Sequence, residues 1–238
     1  MRLPSRVVTL LAVAALPLAL SACSSGSSSD TGASAKPAKE QNPNAGLLTG
    51  TQLKKVLAPA SAFPSGFTRA ADGASDSGSQ FLSPSSRKTA KPDCTRLEGT
   101  AWIQVTGFEG GVSFAQDDYV NQDKTEEITQ EIDEFQGTTA KTVMKELQSV
   151  ATECATFTDT DTHAKVKVMG RSTAGLGDEA YTMTLTSGAW ETGTTLVAAR
   201  SGNTVITVLS TAGSDNGAAA AKKLTTRVVG SLKDKKTA

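Results

Sequence analysis

Between Thr138 and Cys154 the apolar residues fall at steps of three and four: Ala140, Val143, Met144, Leu147, Val150, Ala151 and Cys154. Lys141, Lys145, Glu146 and Gln148 lie off that stripe. A period of 3.6 places such positions on one face, so the spacing predicts an amphipathic helix over 138–154. Gly137 precedes it, and Thr138 or Thr139 can cap it. A second helix is predicted over Thr49–Leu57, with Leu53, Val56 and Leu57 on one side, Thr51 as a cap and Pro59 as a stop. A third begins at Ser214-Asp215, both good caps, and runs through Ala220, Ala221, Leu224, Val228 and Leu232. Its Lys222, Lys223, Lys233, Lys235 and Lys236 favour the C-terminal half, where the helix dipole stabilises cations.

Most of the remaining chain alternates with period two. Trp102, Gln104 and Thr106 alternate with Ile103 and Val105, and Val112 and Phe114 with Ser113 and Ala115. Val166 and Val168 alternate with Lys165, Lys167 and Met169; Tyr181, Met183 and Leu185 alternate with Thr182, Thr184 and Thr186. Leu196–Arg200 and Thr204–Leu209 flank Ser201-Gly202-Asn203 and read as a hairpin. Glu126–Phe135 fits both periods; Gly137 separates it from the next helix, which favours a strand. Strands in hairpin-connected runs, with helices before, between and after, predict an α+β domain over 47–235. Its core is a twisted antiparallel β-sheet with two to three helices packed on one face.

The N-terminus has a different pattern. Arg2 and Arg6 precede an apolar run, Val7–Leu20, broken only by Thr9 and Pro17, and Leu20-Ser21-Ala22-Cys23 follows. A charged start, a short apolar stretch and small residues before a cut describe a secretory signal. The run falls short of the roughly 20 apolar residues a spanning helix needs. Leu20-Ser21-Ala22-Cys23 resembles the bacterial lipobox, which implies removal of residues 1–22 and lipid (palmitate among its acyl chains) on Cys23. An ordinary signal peptide with a chance cysteine is the other reading. Two or more acyl chains give lasting membrane attachment where one is marginal. Residues 23–46, rich in Ser, Gly, Ala, Pro and Asn, have no apolar periodicity and are expected to be a disordered tether. A flexible chain of that length spans on the order of 25 Å.

Cleavage would leave 216 residues with 22 Lys+Arg against 24 Asp+Glu, a net charge of −2. Such a balance lacks the basic field of a nucleic-acid binder. Cys94 and Cys154 are then the two remaining cysteines, and in an oxidising compartment an even pair reads as one disulfide. Two separate buried thiols are the alternative. Neither shows the paired spacing of a zinc site.

Candidate chemistry is sparse. His163 is the one histidine, and no Gly-x-Ser-x-Gly elbow accompanies it. Asp159, Asp161 and His163 would share one face of a strand, a superficially metal-like set, but further oxygen ligands at calcium-loop offsets are missing and a solvated strand start fits better. Asp117, Asp118 and Asp123 read as an acidic turn. Gly175-Leu176-Gly177-Asp178 lacks the Lys-Ser/Thr of a phosphate loop and reads as a tight turn before the Tyr181 strand. Trp190, in the loop Ser187–Gly193, is a candidate exposed contact, because tryptophan combines apolar area with a polar tip. Trp102 reads as core. No metal and no cofactor is expected.

At Cys94, at Val150-Ala151-Thr152-Glu153-Cys154, at Gly175-Leu176-Gly177-Asp178-Glu179-Ala180 and at Ala198-Ala199-Arg200-Ser201-Gly202-Asn203-Thr204-Val205, the chain resembles the PknH-type extracytoplasmic sensor domains. These occur in actinobacterial lipoproteins and as the outer domain of a mycobacterial serine/threonine kinase. The resemblance spans about Leu47 to Leu232. It implies a sheet with flanking helices around a cleft, and sensing or ligand binding outside the cell. The chain departs from that pattern in having no kinase domain, no spanning helix and a single cysteine pair, so any signal would pass through a partner.

The sequence therefore predicts a lipoprotein on the extracytoplasmic face of the cell membrane, non-enzymatic, with a sensor-like or ligand-binding domain. Candidate contacts are Trp190, Tyr181 and Asp178; candidate partners are the membrane, through the lipid, and a small molecule, lipid, glycan or envelope protein, but not nucleic acid. A protein–protein adaptor of the envelope and a surface hydrolase using His163 are the rival readings.

Overall fold

The computed structural model describes residues 42–88, 91–99 and 102–237. The expected signal sequence, Cys23 and most of the expected tether lie outside the described residues. In chain order come α1 (Gly50–Lys54), the short strands β1 (Thr68–Arg69) and β2 (Ser75–Asp76), β3 (Ser113–Val120), β4 (Glu127–Glu134), α2 (Thr139–Glu153) and β5 (Thr156–Thr158). β6 (Lys165–Ser172), β7 (Glu179–Ser187), β8 (Thr194–Ser201), β9 (Thr204–Ser210) and α3 (Ala218–Thr237) complete it. The strands form one antiparallel sheet in the order β1-β3-β4-β9-β8-β7-β6-β5, with β2 also on β3. The sequence expectation of an α+β antiparallel fold holds.

Strand parity separates two cores. Met183 of β7, Leu196 and Ala198 of β8 and Val205 and Leu209 of β9 face α2, whose whole predicted stripe from Ala140 to Cys154 is buried. Val197 and Ala199 of β8, Ile206 and Val208 of β9, and Ile128 and Ile132 of β4 face the other way, onto Leu53 of α1 and Ala221, Leu224, Val228 and Leu232 of α3. So α1 and α3 share one face as expected, while α2 covers the opposite one. The reason is that β8 and β9 are apolar on both sides. A strand buried on both faces needs a layer on each.

Four local expectations are corrected. Trp102–Thr106 is a 3-10 turn and not a strand, because residues three apart, Trp102 with Val105 and Ile103 with Thr106, are buried together. Asp117 and Asp118 belong to β3; only Asp123 sits in the turn that follows. Asp117 can occupy a buried strand position because Arg69 of β1 donates to it at 3.0 Å and also stacks over Tyr119, itself packed on Phe63. Burial nonetheless outweighs the guanidinium and raises the Asp117 pKa. The first helix is capped at Thr49, whose N–H donates to Gln52 Oε1 at 2.8 Å, rather than at Thr51. Asn42–Gly46, assigned to the tether, form a turn in which Asn44 Oδ1 accepts from Gln136 Nε2 at 2.7 Å.

Cys94 and Cys154 are joined by a disulfide, Cα–Cα 5.5 Å, across a sequence separation of 60. It fastens the 3-10 turn Cys94–Glu98 to the C-terminal end of α2. Both cores, the whole sheet and the disulfide lie within Asn42–Ala238, which forms a compact unit of its own. A unit with its own cores folds by itself. Among the described residues, no helix is long and apolar enough to cross a membrane.

Candidate functional site

On the disulfide side, α2 and the Trp102–Thr106 turn diverge and leave a groove of about 370 Å³. One wall is the flank of α2 carrying Glu146, Val150 and Glu153, positions four and three apart. The other is Val105, Thr106 and Gly107, and the rim is Arg87, Lys88, Lys91 and Pro92. The disulfide joins the rim to the α2 wall: Pro92 lies two residues before Cys94, and Glu153 immediately precedes Cys154. The rim is tied to the wall by Lys88 N–H donating to Gly107 O at 2.7 Å.

The lining is charged and of mixed sign. Arg87 pairs with Glu146 at 2.5 Å, and Lys88 pairs with Glu109. Lys91 and Glu153 make no ion pair with any described residue, so one cation and one carboxylate face the groove uncommitted. Ligand pockets of about 300–1,000 Å³ are usually lined by apolar groups. This one is dominated by charge and open to water, which suits a polar, charged ligand and not an apolar one.

The three residues singled out from sequence lie elsewhere, towards the two ends of β7. Asp178 precedes that strand and Trp190 follows it. Trp190 is half-buried against the α2-side core and donates Nε1–H to Asp159 Oδ2 at 2.6 Å, so it is not the exposed contact its loop suggested. Tyr181 is buried beneath α2, where Gly170 of β6 makes room: a Cβ on Gly170 would meet the Tyr181 hydroxyl and lie 2.7 Å from Ala151 Cβ. Asp178 accepts from Arg200 Nη1 and Gly202 N–H, both at 2.8 Å, and this backbone bond leads the effects that lower its pKa. Its turn needs glycine at 177, which has φ +63° and would drive a Cβ into Arg200 O. No protein-family model matches the chain, and no curated protein matches it in sequence.

Asp159, Asp161 and His163 form a turn and not a strand start. Asp159 Oδ1 accepts from the Asp161 and Thr162 N–H groups at 2.7 and 2.9 Å, and His163 adopts φ +55° with its side chain exposed. Among the described residues the His163 imidazole has no hydrogen bond to a serine or carboxylate, and no group of three or more His, Cys, Asp or Glu could hold a metal ion. Glu98, half-buried beside Asp159 and Asp161, is pushed up to about 7, first by burial and then by those two carboxylates.

One further polar group escaped the sequence reading. Asp133, 1% exposed on the α2-side face of β4, accepts from Gly111 N–H at 2.9 Å. Burial raises its pKa to about 6, against the lowering effects of that bond and of a hydrogen bond with Glu131, two positions earlier on the same face. The alternation Glu131-Ile132-Asp133 was visible in sequence; that β4 is buried on both faces was not.

Proposed function

We propose that this chain is a membrane-anchored lipoprotein of the extracytoplasmic face whose domain binds a ligand without transforming it. The groove carries this reading. It has ligand size, its α2 wall is tied to the rim segment by a disulfide suited to an oxidising compartment, and it offers Lys91 and Glu153 for recognition. Lys91 supplies a donor to an anionic group such as a carboxylate or phosphate. Glu153 accepts from an amine or hydroxyl on the same molecule. The lipobox-like Leu20-Ser21-Ala22-Cys23 supports attachment, and the resemblance to PknH-type sensor domains supports a sensor-like role.

The test is to purify the full chain from its own membranes in detergent and identify retained small molecules by mass spectrometry. The paired variant Lys91→Glu with Glu153→Lys is handled in parallel. A polar small molecule, glycan fragment or lipid headgroup kept by the wild type and lost by the variant is expected. No retained species, or the same species on both proteins, overturns the reading.

A further inference from the structure

We propose that the outward face of α3 is a docking surface for an anionic lipid bilayer. The helix buries Ala221, Leu224, Thr225, Val228, Val229 and Leu232 on one side. The opposite side exposes Lys222, Lys223, Thr226, Arg227, Gly230 and Lys233. Within α3 the single acidic residue is Asp234. The whole chain has 24 basic and 24 acidic residues, so this local excess of positive charge is not the average of the surface. Lys222, Lys223 and Arg227 form no ion pair with any described residue. Their charge is available to a partner.

Shape supports the same partner. Between the cations lie the small residues Thr226 and Gly230, and a Cβ built on Gly230 would meet nothing within 4 Å. With a rise of about 1.5 Å per residue, the cations from Lys222 to Lys233 extend over roughly 17 Å along the helix. Such a low-relief basic strip fits a plane of anionic headgroups, held by charge and not by insertion, because the apolar face of α3 is already packed on the sheet.

The chain's entry point agrees. Asn44 is bonded to Gln136, just beyond β4, and Glu134 at that end of β4 bonds to Thr204 at the start of β9. Asp178 holds Gly202 in the β8–β9 turn and feels the charge of Lys233. The C-terminal part of α3 and the first described residues therefore share one end of the sheet. From a lipid on Cys23, the intervening 18 or so residues reach up to about 60 Å, ample for α3 to lie against the bilayer. The proposal deepens the membrane-attached reading but requires neither the acyl chain nor a groove ligand.

The experiment uses residues 42–238, the compact unit that holds both cores, the whole sheet and the disulfide. They are sedimented with vesicles of phosphatidylcholine alone, or with one-third phosphatidylglycerol, at low and high salt. Binding to the anionic vesicles alone, released by salt, is expected. A basic residue near an anionic surface contributes about fivefold, so Lys222→Glu, Lys223→Glu and Arg227→Glu combined should weaken it on the order of a hundredfold. These side chains are exposed, and an unchanged near-ultraviolet circular dichroism spectrum verifies the fold. No binding to anionic vesicles, equal binding to both kinds, or indifference to the triple substitution overturns the proposal. So does retention on an acidic polypeptide without vesicle binding, which would make the partner a protein. Palmitate labelling of Cys23 reads the tether separately, so failure of one leaves the other standing.

Discussion

Trp190 and Asp159 are joined across 31 residues of sequence by a 2.6 Å hydrogen bond from the indole Nε1 to a carboxylate oxygen. Asp159 is buried, which by itself raises its pKa, yet the bonds from Thr162, Trp190 and Asp161 outweigh burial and hold it below the usual carboxylate range. The pair fixes the β7–β8 loop to the turn before β6. Trp190→Phe keeps most of the ring and removes the donor. It should cost about 1.5–3 kcal/mol, the value of a hydrogen bond to a charged group. Thermal unfolding against wild type measures this, and an unchanged midpoint contradicts it. The contribution is present at neutral pH and fades as acid protonates Asp159, because a depressed carboxylate stabilises only while ionised.

The packing of Tyr181 under α2 depends on the missing side chain at position 170. Gly170→Ala places a methyl group against the Tyr181 hydroxyl and Ala151 Cβ. Overpacking of this kind costs about 1–3 kcal/mol. Met169→Ala, at the neighbouring exposed position, should change stability by less than about 0.5 kcal/mol. Denaturant titration of the two variants makes the comparison, and equal effects contradict the packing.

Asp133 and Glu98 make stability fall toward neutral pH. Both carboxyls are raised, Asp133 from the ordinary 3.8 to about 6 and Glu98 from 4.5 to about 7, chiefly by burial. A raised acid contributes fully below its unfolded pKa and loses that contribution as pH climbs through the folded value. Their part of the stability should thus decline between about pH 4 and 7. Asp133→Asn retains an acceptor for Gly111 and offers a permanent donor to Glu131. It should flatten the decline and stabilise the domain at pH 7 by about 1–2 kcal/mol. Unfolding free energies of both proteins from pH 4 to 7.5 decide it; parallel profiles contradict it.

Removing the disulfide should weaken the domain and open the groove. By the chain-entropy model, closing a loop of about 60 residues is worth about 4 kcal/mol. Cys94→Ala with Cys154→Ala should lower the melting temperature by about 10 °C. The hydrogen exchange of Val105–Gly107 and the last turn of α2 should rise while β8 and β9 stay protected. Uniform protection across all four segments contradicts the clamp.

Where pattern is local, the sequence disclosed the structure. The α2 stripe, the alternation of Val166, Val168, Met183 and Leu185, and the β8–β9 hairpin are each set by neighbours within a few residues. Trp102–Thr106 misled because a short apolar run with one exposed Gln104 satisfies alternation as well as a 3-10 turn. Asp117 misled because its partner, Arg69, lies 48 positions away. The groove was not legible at all. Its lining comes from Arg87, Lys88, Lys91 and Pro92, from residues 105–107 and from the 146–153 flank of α2, whose adjacency exists only after the sheet has formed and the Cys94–Cys154 bond has drawn two of the segments together. Trp190 looked like a free contact for the same reason: nothing near it in sequence announced Asp159.

The central claim is attachment through Cys23, and metabolic labelling with palmitate tests it most directly. The full chain and its Cys23→Ala variant are expressed in a lipoprotein-processing bacterium, immunoprecipitated and assayed for label. The account predicts label on the wild type, none on the variant, and release of the variant from the membrane fraction. Unlabelled wild type, or equal label on both proteins, contradicts it.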